Sequence, residues 1–360
     1  LVFDAGLPAD QPAVHALLIG VGDYDHFPAP GAAAPASPRT AYHAEAPIMP
    51  RLSSPQPSAE ALRDWLLTNR DRLDRPLGTV RTAIGGPPGS ATLDVVRAET
   101  NAWKLACDGH PQNVALFSFC GHGVWDSGET YLLLQDFGTA EDTFWARAVN
   151  FNRFYNAMKA CKAETQVFLI DACRNAPDAY MDIPREGYSV LLTNRPGTAR
   201  DKVAPIVFST GVNRKAWGTP GETSRFCRIL LECMEHYAAT QVGNLWQVTT
   251  ESLGRAMKLV GTPAAHETDF APFVVGGDSS GEQRLARVPE PKSLARILFQ
   301  DGDLGALSGL EIEGIPGPLS APRQPLEVAL PPGRVRLRRI GNPDWIEAHA
   351  NPPLTLLEGI

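Results

Sequence analysis

Nowhere among the 360 residues do apolar side chains run for the roughly 18 positions that a membrane-spanning helix needs. The opening residues, LVFDAGLPAD, have neither a basic start nor an apolar stretch, so no secretory leader is visible in them. The chain begins at Leu1 and not at Met, which fits a fragment or a processed product. Blocks of Lys and Arg are also missing, and the net charge is −7. Phosphate backbones and anionic membranes both require a basic face, so neither nucleic acid nor membrane is expected as a partner. The six cysteines, at 107, 120, 161, 173, 227 and 233, include no CxxC pair. A chain this long needs no disulfide framework, so free thiols in a reducing cytoplasm are expected. With 43% hydrophobic and 20% charged residues, the composition suits a globular protein with one large domain and a small one.

Strand and helix patterns alternate through the first three quarters of the chain. VHALLIGVGDY (14–24) reads as a buried strand ending in a Gly-rich turn, and a Pro/Ala/Ser-rich stretch follows from Phe27 to about Pro57. Residues 58–69 read as a helix with Ser58 as its N-cap, 78–84 as a strand, 90–107 as a capped amphipathic helix, and 113–121 as a third strand. Further strands are expected at 129–136, 166–173 and 204–210, with helices at 151–161 and 224–239. This order predicts an α/β fold, a mostly parallel sheet flanked by helices on both faces, with ligands at the carboxyl ends of the strands. Residues 1–277 are expected to form that domain and 278–289, within the Gly/Ser-rich region after it, a linker. The short alternating segments of 290–360, parted by Pro and Gly, predict a small β-sandwich module.

Several motifs carry less than they promise. GVGDYD would place Asp25 where a dinucleotide loop needs its third glycine, and its carboxylate would repel a pyrophosphate. GGPPGSAT (85–92) lacks the P-loop lysine, and its prolines remove amide donors. Cys107 and His110 have no second ligand pair at a usable spacing, so no metal is expected, and Cys227 and Cys233 read as helix-packing residues.

LFSFCGHGVWD (116–126) and QVFLIDACRNA (166–176) are different. Each runs from a buried strand to a reactive side chain at the strand end, His122 between two glycines and Cys173 just after Ala172. At the ends of neighbouring parallel strands an imidazole and a thiol can face each other, the minimal machinery of cysteine nucleophilic catalysis. Asp171 and Cys173 are two apart, so strand alternation points both to one side.

These residues give the chain a resemblance to the caspase-like cysteine peptidases, the group of caspases, metacaspases, paracaspases and bacterial relatives. The resemblance covers roughly residues 12–277 and rests on FCGHGV followed by ETYLLLQD, on LIDACRNA with the histidine about 50 residues before the cysteine, and on STGVNRKAWG followed by SRFCRILL. It implies that Cys173 is the nucleophile and His122 its proton-transfer partner, with the backbone N–H groups of Gly123 and Cys173 as oxyanion hole. Asp171 would line the specificity pocket and select Arg or Lys, as in metacaspases and paracaspases, which carry Asp there where caspases carry Gln. The chain departs from the metacaspase pattern at Ser58, where those relatives often place a second acid. An internal ion pair of Asp171 with Arg174 or another base is the alternative role. The stretch 177–205 resembles in position the linker between caspase subunits, making Arg185, Arg195, Arg200 and Lys202 candidate self-cleavage sites, with Pro196 making the Arg195 bond the poorest. Arg39 and Arg51 are further candidates. A protein or peptide substrate is expected, no cofactor, and a regulatory partner through the β-module; a calcium requirement stays open. Regulated proteolysis in bacterial defence or cell death is implied by the resemblance alone. A catalytically silent scaffold and a non-peptidase cysteine hydrolase or acyltransferase are the rival readings.

Overall fold

The computed structural model describes residues 1–25, 49, 51–86, 89–138, 145–174, 188–192, 202–210, 221–262, 272–279, 281–298, 309–317, 319, 325–340 and 342–358. Its centre is a seven-stranded sheet made of Phe3–Asp4 (β1), Val14–Gly20 (β2), Leu77–Ile84 (β3), Val114–Gly121 (β4), Thr165–Ala172 (β8), Val203–Phe208 (β9) and Val274–Ser279 (β12), in the order β1-β3-β2-β4-β8-β9-β12. The five inner strands run parallel, while β1 and β12 are antiparallel edges. Every residue of β2 and β8 is buried, the mark of strands covered on both faces, and it explains their near-continuous apolar runs.

Helices Pro55–Thr68 (α1) and Leu93–Cys107 (α2) pack against β2, β3 and β4, and Phe151–Met158 (α3) adds Phe151 and Phe154 to the aromatic core around Phe117 and Phe168. Two helix starts differ from expectation. α1 begins at Pro55, not Ser58, because proline suits the first turn, where its missing N–H costs nothing. Ser58 instead lies one turn inside, donating to the Ser54 carbonyl at 2.7 Å and accepting the Ser224 N–H at 2.9 Å. α2 has no cap from Thr92; the Asp136 carboxylate, distant in sequence, accepts the Leu93 N–H at 3.0 Å. The glycines of GVGDYD serve close packing, since a Cβ on Gly22 would lie 2.3 Å from the Leu52 carbonyl oxygen.

A second, smaller sheet follows His122: Gly123–Asp126 (β5), Glu129–Leu133 (β6) and Ala148–Asn150 (β7), joined antiparallel in that order. Further on, Arg225–Glu232 (α4) runs into a π-helical turn at Cys233–Tyr237. The hairpin Ala239–Val242 (β10) and Leu245–Thr249 (β11) and the helix Thr250–Gly261 (α5) complete this stretch.

The expected linker at 278–289 is overturned. Asp278 and Ser279 are rungs of β12, paired with Ala204 and Val203, and Arg284–Arg287 is a strand (β13) paired with β11. An edge strand bonded on one side and open to solvent needs few apolar side chains, so a Gly/Ser/Asp sequence can form one. The chain divides into two compact units, Leu1–Arg228 with Phe270–Gln283, and Ile229–Asp269 with Arg284–Ile360. Residues Ile229–Asp269 therefore side with the C-terminal residues and not with the large sheet. In that unit Ser293–Leu298 (β14) carries Arg296, whose Nη2 caps the last turn of α5 at the Val260 carbonyl (3.2 Å) while Nε binds Glu327 (2.7 Å). Two three-stranded sheets enclose an apolar core of Ala295, Ile297, Leu310, Ile312, Leu330, Val335, Leu337, Ala350 and Leu357. The first joins β14 to Leu326–Leu330 (β16) and Leu354–Glu358 (β19); the second joins Leu310–Ile312 (β15), Gly333–Arg339 (β17) and Ile346–Ala350 (β18). No helix among the described residues is long and apolar enough to cross a membrane.

Candidate active site

The register of β4 against β8 builds the site. Cys120 stands opposite Asp171 and Gly121 opposite Ala172, so the next residues, His122 and Cys173, leave the sheet side by side. Gly123 then presses on the nucleophile strand: a Cβ there would lie 2.7 Å from the Cys173 carbonyl oxygen and 2.8 Å from the Ala172 Cβ. Only glycine tolerates that approach.

His122 is buried and held through its backbone. Its N–H donates to the Tyr24 phenol at 2.7 Å, its carbonyl accepts the Leu133 N–H at 3.0 Å, and its ring lies 5.0 Å from the Tyr24 ring, tilted by 45°. Burial raises the Tyr24 phenol well above its ordinary value, keeping it neutral and able to accept that bond. Cys173 is half-buried, the one thiol of the six that is not fully enclosed. By contrast, burial raises Cys227 to about 12 and lifts Cys107, Cys120 and Cys233 well above the ordinary thiol value, so these four are poor nucleophiles.

Asp171 is buried beneath this pair. Burial raises its carboxyl above the usual range, although hydrogen bonds from Ser224, Cys120 and Ser209 pull in the other direction. The Cys120 thiol reaches its Oδ2 at 3.3 Å. Among the described residues no cation pairs with it. Arg174, the internal partner considered from sequence, instead lays its guanidinium over the Phe208 ring at 4.1 Å. Ser58 belongs to the same floor: its carbonyl accepts the Cys227 thiol at 3.3 Å, and its hydroxyl is engaged with Ser224. Three groups of this floor, Tyr24, Cys120 and Ser224, escaped sequence reasoning. Cys120 alone had a local signal, since it lies two residues before His122 and alternation puts it on the same face.

The remaining sequence candidates are the proposed self-cleavage positions. Arg39, Arg185, Arg195 and Arg200 fall outside the described residues, and Arg51 pairs with Asp23 at 3.6 Å. Lys202 is corrected outright: its side chain is buried, and Nζ donates to the carbonyls of Cys161 (2.6 Å) and Ala163 (3.0 Å). A bond beside an enclosed ammonium is not open to a protease. Among the described residues no three His, Cys, Asp or Glu side chains are grouped to hold a metal ion.

Comparison with known proteins puts a family beside this geometry. Residues 92–270 match the caspase-domain family. The central sheet also takes β1, β2 and β3 from before that range and β12 from after it. An uncharacterized protein of Sinorhizobium fredii, y4kE, is 23% identical over 227 residues, which cover 55% of this chain and 65% of that one, just under two thirds of the relative's length. Among solved structures, protein GSU0716 of Geobacter sulfurreducens aligns over 74% of this chain and 94% of its own, at 14% identity and a TM-score of 0.44. Caspase-1 of Spodoptera frugiperda aligns over 78% and 94%, at 11% identity and a TM-score of 0.41.

Proposed function

Because residues 92–270 of this chain are a caspase domain, we propose that the protein is a cysteine endopeptidase that cuts after Arg or Lys with a His122/Cys173 dyad. The observation that carries this reading is the β4–β8 register, which sets His122 and Cys173 side by side above a buried Asp171 that has no described cation of its own. Cys173 attacks the peptide carbonyl carbon, and the oxygen takes up negative charge facing the N–H groups of Cys173 and Gly123. His122 holds the thiol proton and passes it to the leaving amine; water then hydrolyses the thioester, and the proton returns to the thiol. Glycine at 123 favours this role because it brings its backbone against that of Cys173. A buried carboxylate needs a cation, and an Arg or Lys side chain before the cut bond supplies it.

The test is a set of fluorogenic peptides ending in Arg, Lys or Asp, with Cys173→Ala as blank. Basic-ended peptides should be cut best, and His122→Ala should lose several orders of magnitude, because an unassisted thiol is mostly protonated at neutral pH. Asp171→Ala should cost about 2–5 kcal/mol of transition-state binding for basic substrates. Best cleavage after Asp, or turnover surviving in Cys173→Ala, would sink the reading.

A further inference from the structure

We propose that residues 188–192, in the stretch between Cys173 and β9, form a positioning brace for His122; the inference rests on the dyad reading above. Ser189 forms a parallel β-bridge with Val149, so the segment 188–192 lies along the β7 edge of the small sheet β5-β6-β7. Both backbone groups of Ser189 are used: its N–H donates to the Ala148 carbonyl at 2.8 Å, and its carbonyl accepts the Asn150 N–H at 3.1 Å. Its hydroxyl binds the Ala146 carbonyl.

The line from there to the site is short. Ala148 pairs with Leu133 across β7 and β6, and the Leu133 N–H holds the His122 carbonyl at 3.0 Å. Ser189, Ala148, Leu133 and His122 thus stand in one row across the sheet, hydrogen-bonded at both ends, with Ala148 and Leu133 facing each other as a pair without a hydrogen bond between them. β7 is only three residues long, and without the added segment it would be the sheet's open edge. The added segment is anchored by side chains as well. Leu191 and Leu192 are buried in the main core, and the Tyr188 ring stands edge-on to Tyr131 at 5.8 Å under the Arg153 guanidinium at 5.1 Å. Asn150 joins the same frame, capping α3 at the Arg153 N–H and donating to Glu129.

The chain that leaves Cys173 therefore returns to brace the small sheet whose Leu133 N–H holds the His122 carbonyl. Ser189 and Leu191 are positioning residues; neither touches substrate.

Two variants and a control test this, with peptide turnover and residue-resolved amide hydrogen exchange as readouts. Ser189→Pro removes the donor to Ala148, Leu191→Ala weakens the anchor without introducing a polar group, and Ser189→Ala keeps the backbone pairing. In the first two, exchange at the Leu133 and Asn150 amides should speed up by about tenfold or more while β2 and β8 stay protected. The kcat should fall about tenfold to a hundredfold with KM little changed, and the pH profile of kcat/KM should shift, because the imidazole is displaced and not the substrate pocket. Ser189→Ala, which loses only the hydroxyl bond to Ala146 and keeps the backbone pairing, should change all three far less than Ser189→Pro. Wild-type exchange at Leu133 in a folded Leu191→Ala or Ser189→Pro protein would overturn the proposal, as would a loss confined to KM. If wild type cuts no peptide, the peptidase reading fails, and the exchange data still decide whether 188–192 holds the row.

Discussion

At the scale of single residues, steric and protonic constraints are sharper than the chemistry of the dyad itself suggests. Gly123 has no room for a methyl group against the Cys173 carbonyl, so Gly123→Ala must push the two strand ends apart. Peptide turnover is expected to fall at least about a hundredfold while far-UV dichroism stays native; a variant with near-wild-type turnover would show that the close approach is dispensable. His15, on β2, carries a second constraint. Its Nδ1 lies 2.9 Å from the Thr79 hydroxyl, and burial holds the imidazole down to about 4 from an ordinary 6.5, with Asp4 raising and Arg81 lowering it. The fold thus excludes a proton that the unfolded chain takes up below about 6.5. Stability from this group is complete above that pH and is lost as pH falls toward about 4, by up to about 3 kcal/mol. Denaturant titrations at pH 7 and pH 5 should differ less for His15→Gln than for wild type; an unchanged difference would clear His15 of the effect. His122, Cys173 and Asp171 were legible because each ends a strand pattern in an unexpected polar residue. Tyr24 was not, because its partner, the His122 N–H, lies far away in sequence.

Among elements, interiors were readable and boundaries were not. The five inner strands of the large sheet and helices α1 to α4 fall where periodicity puts them, since burial of a face sets the pattern, whereas the edge strands β1 and β12 were not expected. The start of α1 was misplaced because Ser58 has the chemistry of a cap and is used elsewhere, against Ser224. The cap of α2 comes from Asp136, a long-range donor of charge that no local motif reveals. Asp136→Ala should cost about 1 kcal/mol of stability by urea denaturation, and Asp136→Asn, which keeps an acceptor, clearly less. Equal losses would assign the effect to the Arg147 contact at 3.5 Å instead. The hairpin of β10 and β11 and helix α5 went unread. α5 opens with a reciprocal Thr249/Ser252 capping box, whose second member is a serine where the usual pattern has Glu or Gln.

For the molecule as a whole, the division into units follows packing and not chain order. Cutting after residue 289, as the composition suggests, would leave α5 and the π-helical turn without β14 and β19. Residues 1–289 alone are therefore expected to aggregate or bind a hydrophobic dye, and Arg296→Ala in the full chain to lose about 1–3 kcal/mol from the capped end of α5; a soluble, cooperatively folding 1–289 would refute this. By itself the sequence determined the α/β class, the parallel strand run, the β-rich C-terminal end and the three polar residues at two strand ends. Those follow from the alternation, length and punctuation of segments only a few residues long. Only the tertiary structure decided that Asp171 has a thiol and hydroxyls around it and no described cation, that Lys202 is enclosed, that 278–279 is sheet edge, and that 188–192 joins the row leading to His122. Each of these is a pairing between residues far apart in the chain, set by register and close approach, and a local pattern of side chains carries no record of which distant backbone it will meet.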